Sequence, residues 1–472
     1  MNVFELFGAI DYVYFKGKNI PNITEITKDE NQDLRDKVLV LTENKLKKVN
    51  VEKLKSCALV LSEKYVEEDI NLFVPRNFRK CYAKVSKKLY QDYSDKIKFI
   101  FITGTNGKTS SVSFVWELYK RLGEEVGKIG TFGAIYKDLH IKTNMTTPDP
   151  EIFHKICKEF YERGCRVIVA EASAHALYYQ KLYGVKAEVG AFTNIGRDHL
   201  DFFDENSYIC AKQTLFREEI SKNAVINVDD SVGREISKSR ECITFGKSNK
   251  CDLQILDVRD GGKLSFSIIY KGEKYDLNTR LFGEFNAYNI TNAIACLIAM
   301  GKPISQIVNV VDELSCVKGR MQEINNDKGL RIFVDYAHTP DGLKNVLKSA
   351  KCFTQNNLWV VFGCGGNRDS GKRFQMGEIA GKFSDKVVIT SDNPRHESPD
   401  GIAKEVLLGV EIKEKATVIL DRYNAISYAI NNAQFGDTVI VAGKGEEDYM
   451  EIAGKFYPFK DEDTIIKVLT EK

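Results

Sequence analysis

The sequence predicts an α/β chain of three domains: a small α/β N-terminal domain, a central mostly parallel sheet with a glycine-rich loop, and a C-terminal Rossmann-like, doubly wound domain. Three observations point there. A chain of 472 residues exceeds what one hydrophobic core organises, so two or three domains are expected. A short apolar run, Phe99–Thr103 (FIFIT), leads through a Gly/Asn turn into a helical pattern. Beyond Gly319–Met321 (GRM), apolar runs alternate strictly with amphipathic segments, as parallel βα units do.

Composition narrows the class. An apolar fraction of 43% is normal for a globular protein and excludes general disorder. Lys plus Arg number 68 against 66 Asp plus Glu, which argues against a nucleic-acid binder but leaves a local anion site open. Met1–Phe15 has no basic start followed by a long apolar stretch, and no later run is long enough to span a bilayer. A cytoplasmic location without membrane insertion is therefore expected. The eleven cysteines are scattered, odd in number and free of CxxC pairs, so they read as reduced, mostly buried small residues.

The elements follow in order. Residues 1–88 hold short apolar pieces among Lys, Asn, Asp and Glu; they are assigned to the small first domain without an order of elements. Residues 89–316 form the expected central domain. Phe99–Thr103 is rich in aromatic and β-branched residues, as buried parallel strands are, and Ser110–Gly123 reads as a helix closed by Gly123. Cys165–Ala172 and Ala187–Asn194 are further strands, while Lys263–Tyr270 and Lys274–Phe282 suit antiparallel hairpin strands. Residues 317–472 form the expected third domain. Its strands are Arg331–Tyr336, Leu358–Gly365, Lys386–Asp392, Thr417–Asp421 and Asp437–Gly445, with helices at Asp341–Lys351, Phe374–Phe383, Asp400–Val410 and Asn424–Ala433. Ligands of doubly wound sheets sit at the carboxyl ends of the strands, where CGGNRD, SDNPRHE and GKGEED fall.

Thr103–Ser110 (TGTNGKTS) lies between strand and helix. Its glycines let backbone N–H groups approach phosphates, and the helix N-terminus favours their charge. Gly104, Thr105, Asn106, Gly107 and Ser110 would cradle ATP, Lys108 would reach the terminal phosphates, and the Thr109 hydroxyl would meet Mg²⁺. The general pattern wants glycine at position 102, where this chain has Ile102; the alternative is a plain turn before a helix. Glu171 and His199, each at a strand end, would suit a second Mg²⁺.

TGTNGKTS, EASAH (Glu171–His175), TNIGRDHLD (Thr193–Asp201), Lys212 in YICAKQ, FGEFNAYN, GRMQE, VDYAHTPDGL, GCGGNRDSGKR, SDNPRHESP and GKGEEDY occur in that order. From about Val85 to the C-terminus the chain thereby resembles the Mur ligases of peptidoglycan synthesis, and among them those adding the third residue to UDP-N-acetylmuramoyl-L-alanyl-D-glutamate. The resemblance implies an ATP-dependent acid–amino-acid ligase: ATP phosphorylates a substrate carboxylate, an amine attacks the acyl phosphate, and phosphate leaves. It implies catalytic roles for Lys108, Lys212, Glu171 and His199, two Mg²⁺ ions held with Thr109, and a CO₂-derived carbamate on Lys212. It places Asn286 and Asn289 at adenine, and Arg320 and Asp335 over the nucleotide, with His338 in the adjoining motif. The acceptor acid falls to Thr146, Thr147, Ser173 and Lys181. The amine falls to Arg368, Asp392, Asn393, Arg395, Gly443 and Glu447, with Arg395 in the position seen in relatives that add meso-diaminopimelate. Small-molecule substrates and a monomer are expected.

Departures gather on the acceptor side. Ile26–Leu41 shows no DSR-x-V-x-x-G-x-x-F motif, and Tyr179 and Lys181 stand where the family commonly has Gln and Arg. Gly196 replaces Thr or Ser, Asn367 replaces Asp in GGDRD, and Glu446 replaces His in GKGHE. Three readings follow: a meso-diaminopimelate-adding ligase of the cell wall, a related ligase of specialised metabolism acting on another carboxylate, or a non-catalytic nucleotide-binding interaction protein.

Overall fold

The computed structural model describes residues 1–471. They form two compact units: Met1–Thr103, Gly123–Gly190 and Ala211–Ala224 in the first, Gly104–Leu122, Ala191–Cys210 and the chain from Val225 onward in the second.

The first unit opens with a five-stranded sheet in the order Tyr12–Lys16, Leu72–Pro75, Leu59–Ser62, Lys37–Leu41, Glu25–Thr27. The first pair is antiparallel and the rest are parallel. Alternation along each strand divides its side chains between two cores. Val38, Val40, Leu59 and Leu61 meet Leu6, Phe7, Tyr82 and Val85 from the helices Val3–Phe7 and Phe78–Leu89. Leu39, Leu41, Val60 and Leu72 meet Leu54 on the other face. Burial on both faces explains the near-continuous apolar runs. The same unit carries Lys98–Thr103, which pairs in parallel with Val167–Glu171, itself parallel to Gly127–Gly130. Two short antiparallel strands follow, Gly133–Tyr136 and Leu139–Ile141.

The second unit contains the helix Lys108–Arg121 packed on the helix Glu284–Ala299. Ile243–Gly246 pairs in parallel with Val225–Asn227 and with Leu253–Asp260, and the antiparallel strands Leu264–Tyr270 and Glu273–Asn278 complete this part. The hairpin expected from the sequence is present. Leu253–Asp260 was not expected as a strand, because its charged outer half hides the pattern.

The C-terminal sheet runs Gln322–Ile324, Arg331–Asp335, Thr438–Ala442, Leu358–Phe362, Lys386–Ile389, Ala416–Val418. Only the first strand is antiparallel to its neighbour. Leu343, Val346, Leu347, Met376, Ala380, Ile402 and Val406 cover one face from three helices. Ala425, Ile426, Ala429, Ile465 and Val468 cover the other from Arg422–Asn432 and Asp461–Thr470. The expected doubly wound α/β arrangement is therefore met, with one helix, Asp461–Thr470, and one hairpin, Tyr449–Ile452 with Lys455–Pro458, added. Among the described residues all eleven cysteines are free, and no helix is long and apolar enough to cross a membrane.

Two strand ends of this sheet are tied by one buried ion pair. Arg422 Nε and Nη2 donate to the two carboxylate oxygens of Asp461, each at 2.7 Å; Nη2 also donates to Ala442 O, and Nη1 donates to Ser391 O. Both side chains are fully buried. Removing one partner strands a buried charge, so Asp461→Ala should cost about 3–5 kcal/mol. A lowered unfolding midpoint is the expected measurement; an unchanged midpoint would deny the pair its role.

Candidate active site

The glycine turn is built for close approach. Gly107 caps the helix Lys108–Arg121 with φ +84°, a left-handed conformation that glycine adopts without strain. A Cβ there would lie 2.4 Å from Asn289 Oδ1. The turn is anchored from outside: Asn106 N donates to Asn194 Oδ1 at 3.0 Å, and Thr193 Oγ1 donates to Asn106 O at 2.7 Å. Lys108 Nζ folds over the loop and donates to Gly104 O and Thr105 O, each at 2.9 Å. Thr105 Oγ1 accepts from Gly196 N at 2.9 Å.

A cavity of about 740 Å³ opens beside this turn within the second unit. Asn106, Gly107, Ser110 and Asn289 line one side, with Arg320, Asp335 and His338 among the other lining residues. Asn289 Nδ2 donates to Asn286 Oδ1 at 3.0 Å, and Asn286 in turn donates to Phe282 O. The two asparagines thus form one buried polar pair, with Asn289 the member at the cavity wall. Arg320 Nη2 donates to Thr109 Oγ1 at 3.2 Å and its guanidinium stacks 4.3 Å from the centre of the Tyr336 ring. Asp335 accepts from Met321 N and Ala337 N, both at 2.7 Å, so its carboxylate braces the GRM turn and the VDYAH turn together. Burial pushes the Asp335 carboxyl up despite the neighbouring Arg320.

Asp198 stands between two imidazoles, 3.3 Å from His199 Nε2 and 3.7 Å from His338 Nε2. Burial acts to raise its carboxyl, but His338, His199 and Lys372 outweigh this and hold it far below the ordinary carboxylate range. His199 itself has φ +57° and its backbone N donates to Asp198 Oδ1. The sequence pointed to His199; Asp198 was quoted within the motif without a role, because a carboxylate's neighbours are invisible until the chain folds.

In the first unit, Glu171 ends the strand Val167–Glu171 and is buried. Its Oε1 accepts from Thr131 N at 2.8 Å, and its main-chain O accepts from Thr147 Oγ1 at 2.7 Å. Thr147 also donates to Ser173 Oγ, while Thr146 lies 3.4 Å from Thr131, so Thr146, Thr147, Ser173 and Glu171 form one connected group. Lys181 pairs with Asp149 at 2.9 Å, and Lys28 pairs with the same carboxylate at 2.7 Å. Lys28 lies in the segment that matched no motif. Lys212, on the helix Glu205–Gln213, is 1% exposed. Glu171 presents a carboxylate in the first unit and Thr109 a hydroxyl in the second, each an oxygen donor of the kind hard cations take. Among the described residues no group of three or more His, Cys, Asp or Glu side chains is arranged to hold a metal ion by itself.

The residues assigned to the amine meet at the carboxyl ends of the C-terminal strands. Gly443, at φ +114°, brings its main chain so near that a Cβ would stand 2.6 Å from Asp392 Oδ2. Asn393 Nδ2 donates to Glu447 Oε2 at 3.0 Å. Lys444 is fully buried and donates to the same Glu447 oxygen at 3.1 Å and to Asn393 Oδ1 at 3.2 Å. Sequence reasoning passed over Lys444, whose place inside GKG was the available signal. Arg395 has φ +53° and its Nη1 donates to Gly366 O at 2.8 Å. Arg368 pairs with Asp201 at 3.3 Å, while its stem lies beside Gly365 in company with Arg395 and Asn393. His199, Met321, Asn367 and Arg395 hold left-handed backbone, as do eight other non-glycine residues among those described.

Three departures have local reasons. At Gly196 a Cβ would meet Asp341 Oδ2 at 2.8 Å. Asn367 accepts from His396 N at 3.0 Å, and its main-chain N donates to Glu397, beside which a neutral amide avoids the repulsion that a second carboxylate would meet. Glu446 pairs with Lys460 at 3.1 Å.

Comparison with known proteins identifies the family of the chain. The Mur ligase middle-domain model matches residues 102–297, and the Mur ligase glutamate-ligase-domain model matches 319–445. A UDP-N-acetylmuramoyl-L-alanyl-D-glutamate–2,6-diaminopimelate ligase of Aquifex aeolicus is 39% identical over 416 residues, 87% of this chain and 85% of its own. A ligase of the same description from Clostridium tetani is 37% identical over 86% of this chain and 84% of its own. A solved structure of such a ligase superposes with a TM-score of 0.67 at 30% identity, covering 95% of this chain and 94% of that one. With both family models placed and these identities over most of its length, the chain belongs to the Mur ligase family.

Proposed function

We propose that the protein is an ATP-dependent ligase joining meso-diaminopimelate to the D-glutamyl carboxylate of UDP-N-acetylmuramoyl-L-alanyl-D-glutamate in peptidoglycan synthesis. The observation that carries it is the cavity bringing the glycine turn, Asn289, Arg320, Asp335 and His338 into one space. Its volume lies within the range of small-ligand and cofactor pockets. The acceptor carboxylate attacks the γ-phosphorus of ATP, ADP leaves, the amine adds to the acyl phosphate, and phosphate departs with the electron pair of its bond.

Gly104, Thr105, Asn106, Gly107, Lys108, Thr109 and Ser110 hold the phosphates, and Asn286 with Asn289 faces adenine. Arg320 now donates to Thr109 Oγ1. A phosphate oxygen would offer that guanidinium a stronger, charged acceptor, and Thr109 would be one of the residues to hold Mg²⁺. Glu171, His199 and a carbamate on Lys212 would hold two Mg²⁺ ions, which would supply charge neutralisation when bound. Thr146, Thr147, Ser173 and Lys181 take the acceptor. Arg368, Asp392, Asn393, Arg395, Gly443 and Glu447 take the amine, Asp392 and Glu447 accepting from its distal ammonium. We further propose domain boundaries at 1–88, 89–316 and 317–472, and a monomer acting on small molecules in the cytoplasm.

A second reading, a ligase acting on another acid, is favoured by one observation. Asp149 is shared by Lys28 and Lys181, in the region where the family commonly presents Gln and Arg. ADP release measured with each candidate acid, with and without diaminopimelate, separates the two: the proposed acceptor alone should support turnover at a physiological concentration.

Arg395→Ala should reduce kcat/KM for meso-diaminopimelate by about a hundredfold, on the scale of truncating one partner of a buried charge pair. ATP affinity should stay as it was. Undiminished diaminopimelate use in this variant would remove Arg395 from the amine site.

A further inference from the structure

Arg395 does not wait alone for a carboxylate. Its Nε lies 3.0 Å from Glu451 Oε2, and the two side chains are 19% and 20% exposed. Glu451 sits on the strand Tyr449–Ile452, whose main chain is stitched to the Arg395 turn. Arg395 N donates to Glu451 O at 3.0 Å, Ala453 N donates to Arg395 O, and Glu451 N donates to Asn393 Oδ1 at 3.0 Å. The pairing is therefore fixed by backbone and is no chance meeting of long side chains. Nη1 donates to Gly366 O and, at 3.4 Å, to Asn393 O, whereas among the described residues Nη2 makes no hydrogen bond.

We propose that Glu451 is a specificity-determining residue: it is the resident counter-ion of Arg395 and sets how strongly the enzyme requires a second carboxylate on its amine. This rests on the reading of Arg395 given above. A guanidinium with an open Nη2 accepts a substrate carboxylate, but the carboxylate must share Arg395 with a neighbouring anion. Like charges around one cation oppose each other, so Glu451 weakens diaminopimelate binding. For L-lysine the balance reverses. Its distal end is an ammonium without a carboxylate, which a lone guanidinium repels and the Arg395–Glu451 pair does not. Glu451 thus lowers the cost of admitting the wrong amine and narrows the preference that Arg395 creates.

The test is Glu451→Gln in the full-length enzyme, which keeps the shape and removes the charge, with Glu451→Ala as a second variant. Both are assayed with ATP, the UDP-N-acetylmuramoyl dipeptide, and meso-diaminopimelate or L-lysine, beside Arg395→Ala. In Glu451→Gln, KM for meso-diaminopimelate should fall about tenfold with kcat changed less than twofold, and kcat/KM for L-lysine should fall. The preference for diaminopimelate then widens at least tenfold. A preference within twofold of the parent in both Glu451 variants, while Arg395→Ala destroys diaminopimelate use, overturns the role of Glu451 alone. Normal diaminopimelate use in Arg395→Ala overturns the reading of Arg395 and this inference with it.

Discussion

Lys108→Ala should lose at least a thousandfold in ATP-dependent amide formation, the scale on which a positioned charge at a transferring phosphoryl acts. Lys108 opens the helix Lys108–Arg121, and its ammonium lies over Gly104 O and Thr105 O at 2.9 Å. Those carbonyls hold the cation at the mouth of the turn without consuming it, because a phosphate oxygen is a better acceptor than two neutral carbonyls. The turn itself depends on Gly107, Asn106, Thr193 and Asn194, so its shape should survive the substitution. The variant should fold normally, with an unfolding midpoint close to the parent's. Substrate-dependent ADP release is the measurement, and near-normal release from a folded Lys108→Ala protein would end the phosphate-loop assignment.

The parts that the sequence made legible share one property: their pattern is local. Leu358–Phe362 is buried at every position, and an unbroken apolar run between turns signals such a strand directly. The phosphate loop is equally local, since strand, glycine turn and helix follow one another within about twenty residues. The N-terminal sheet resisted because the helices among its strands, Glu43–Leu46 and Val51–Lys55, are only four and five residues long, too short for a helical period to mark the alternation that the longer C-terminal helices make plain. The site was legible as types and obscure as pairs. Arg320 and Thr109, which touch, are 211 residues apart in sequence. Arg395 looked like a cation awaiting substrate until the hairpin Tyr449–Ile452 with Lys455–Pro458 brought Glu451 beside it. Arg368, grouped with the amine residues by motif, is paired with Asp201, 167 residues earlier in the chain. Such pairings come from tertiary return of the chain, on which a linear pattern carries no information.

The second large effect is expected at Lys212. Lys212→Ala should lower turnover on the order of a thousandfold under the proposed role, in which a carbamate on this residue supplies charge and not bulk. Its side chain is 1% exposed at the end of the helix Glu205–Gln213. A bare ammonium beside divalent cations would oppose them, whereas a carbamate presents an oxygen anion that Mg²⁺ favours. Water-poor surroundings disfavour ammonium ions in general, and the neutral amine is the form that attacks CO₂, releasing one proton as the N–C bond forms. If the anion is what matters, a small carboxylic acid such as acetate or propionate should restore part of the lost rate in Lys212→Ala, with saturation kinetics. The same acids should do nothing for Lys108→Ala, whose missing group is a cation. Intact-mass analysis under CO₂-rich, non-denaturing conditions should add one CO₂ to the parent and none to Lys212→Ala. A parent enzyme that stays fully active after thorough CO₂ depletion, together with a variant that no carboxylic acid revives, would leave Lys212 as an ordinary buried lysine and remove the carbamate from the mechanism.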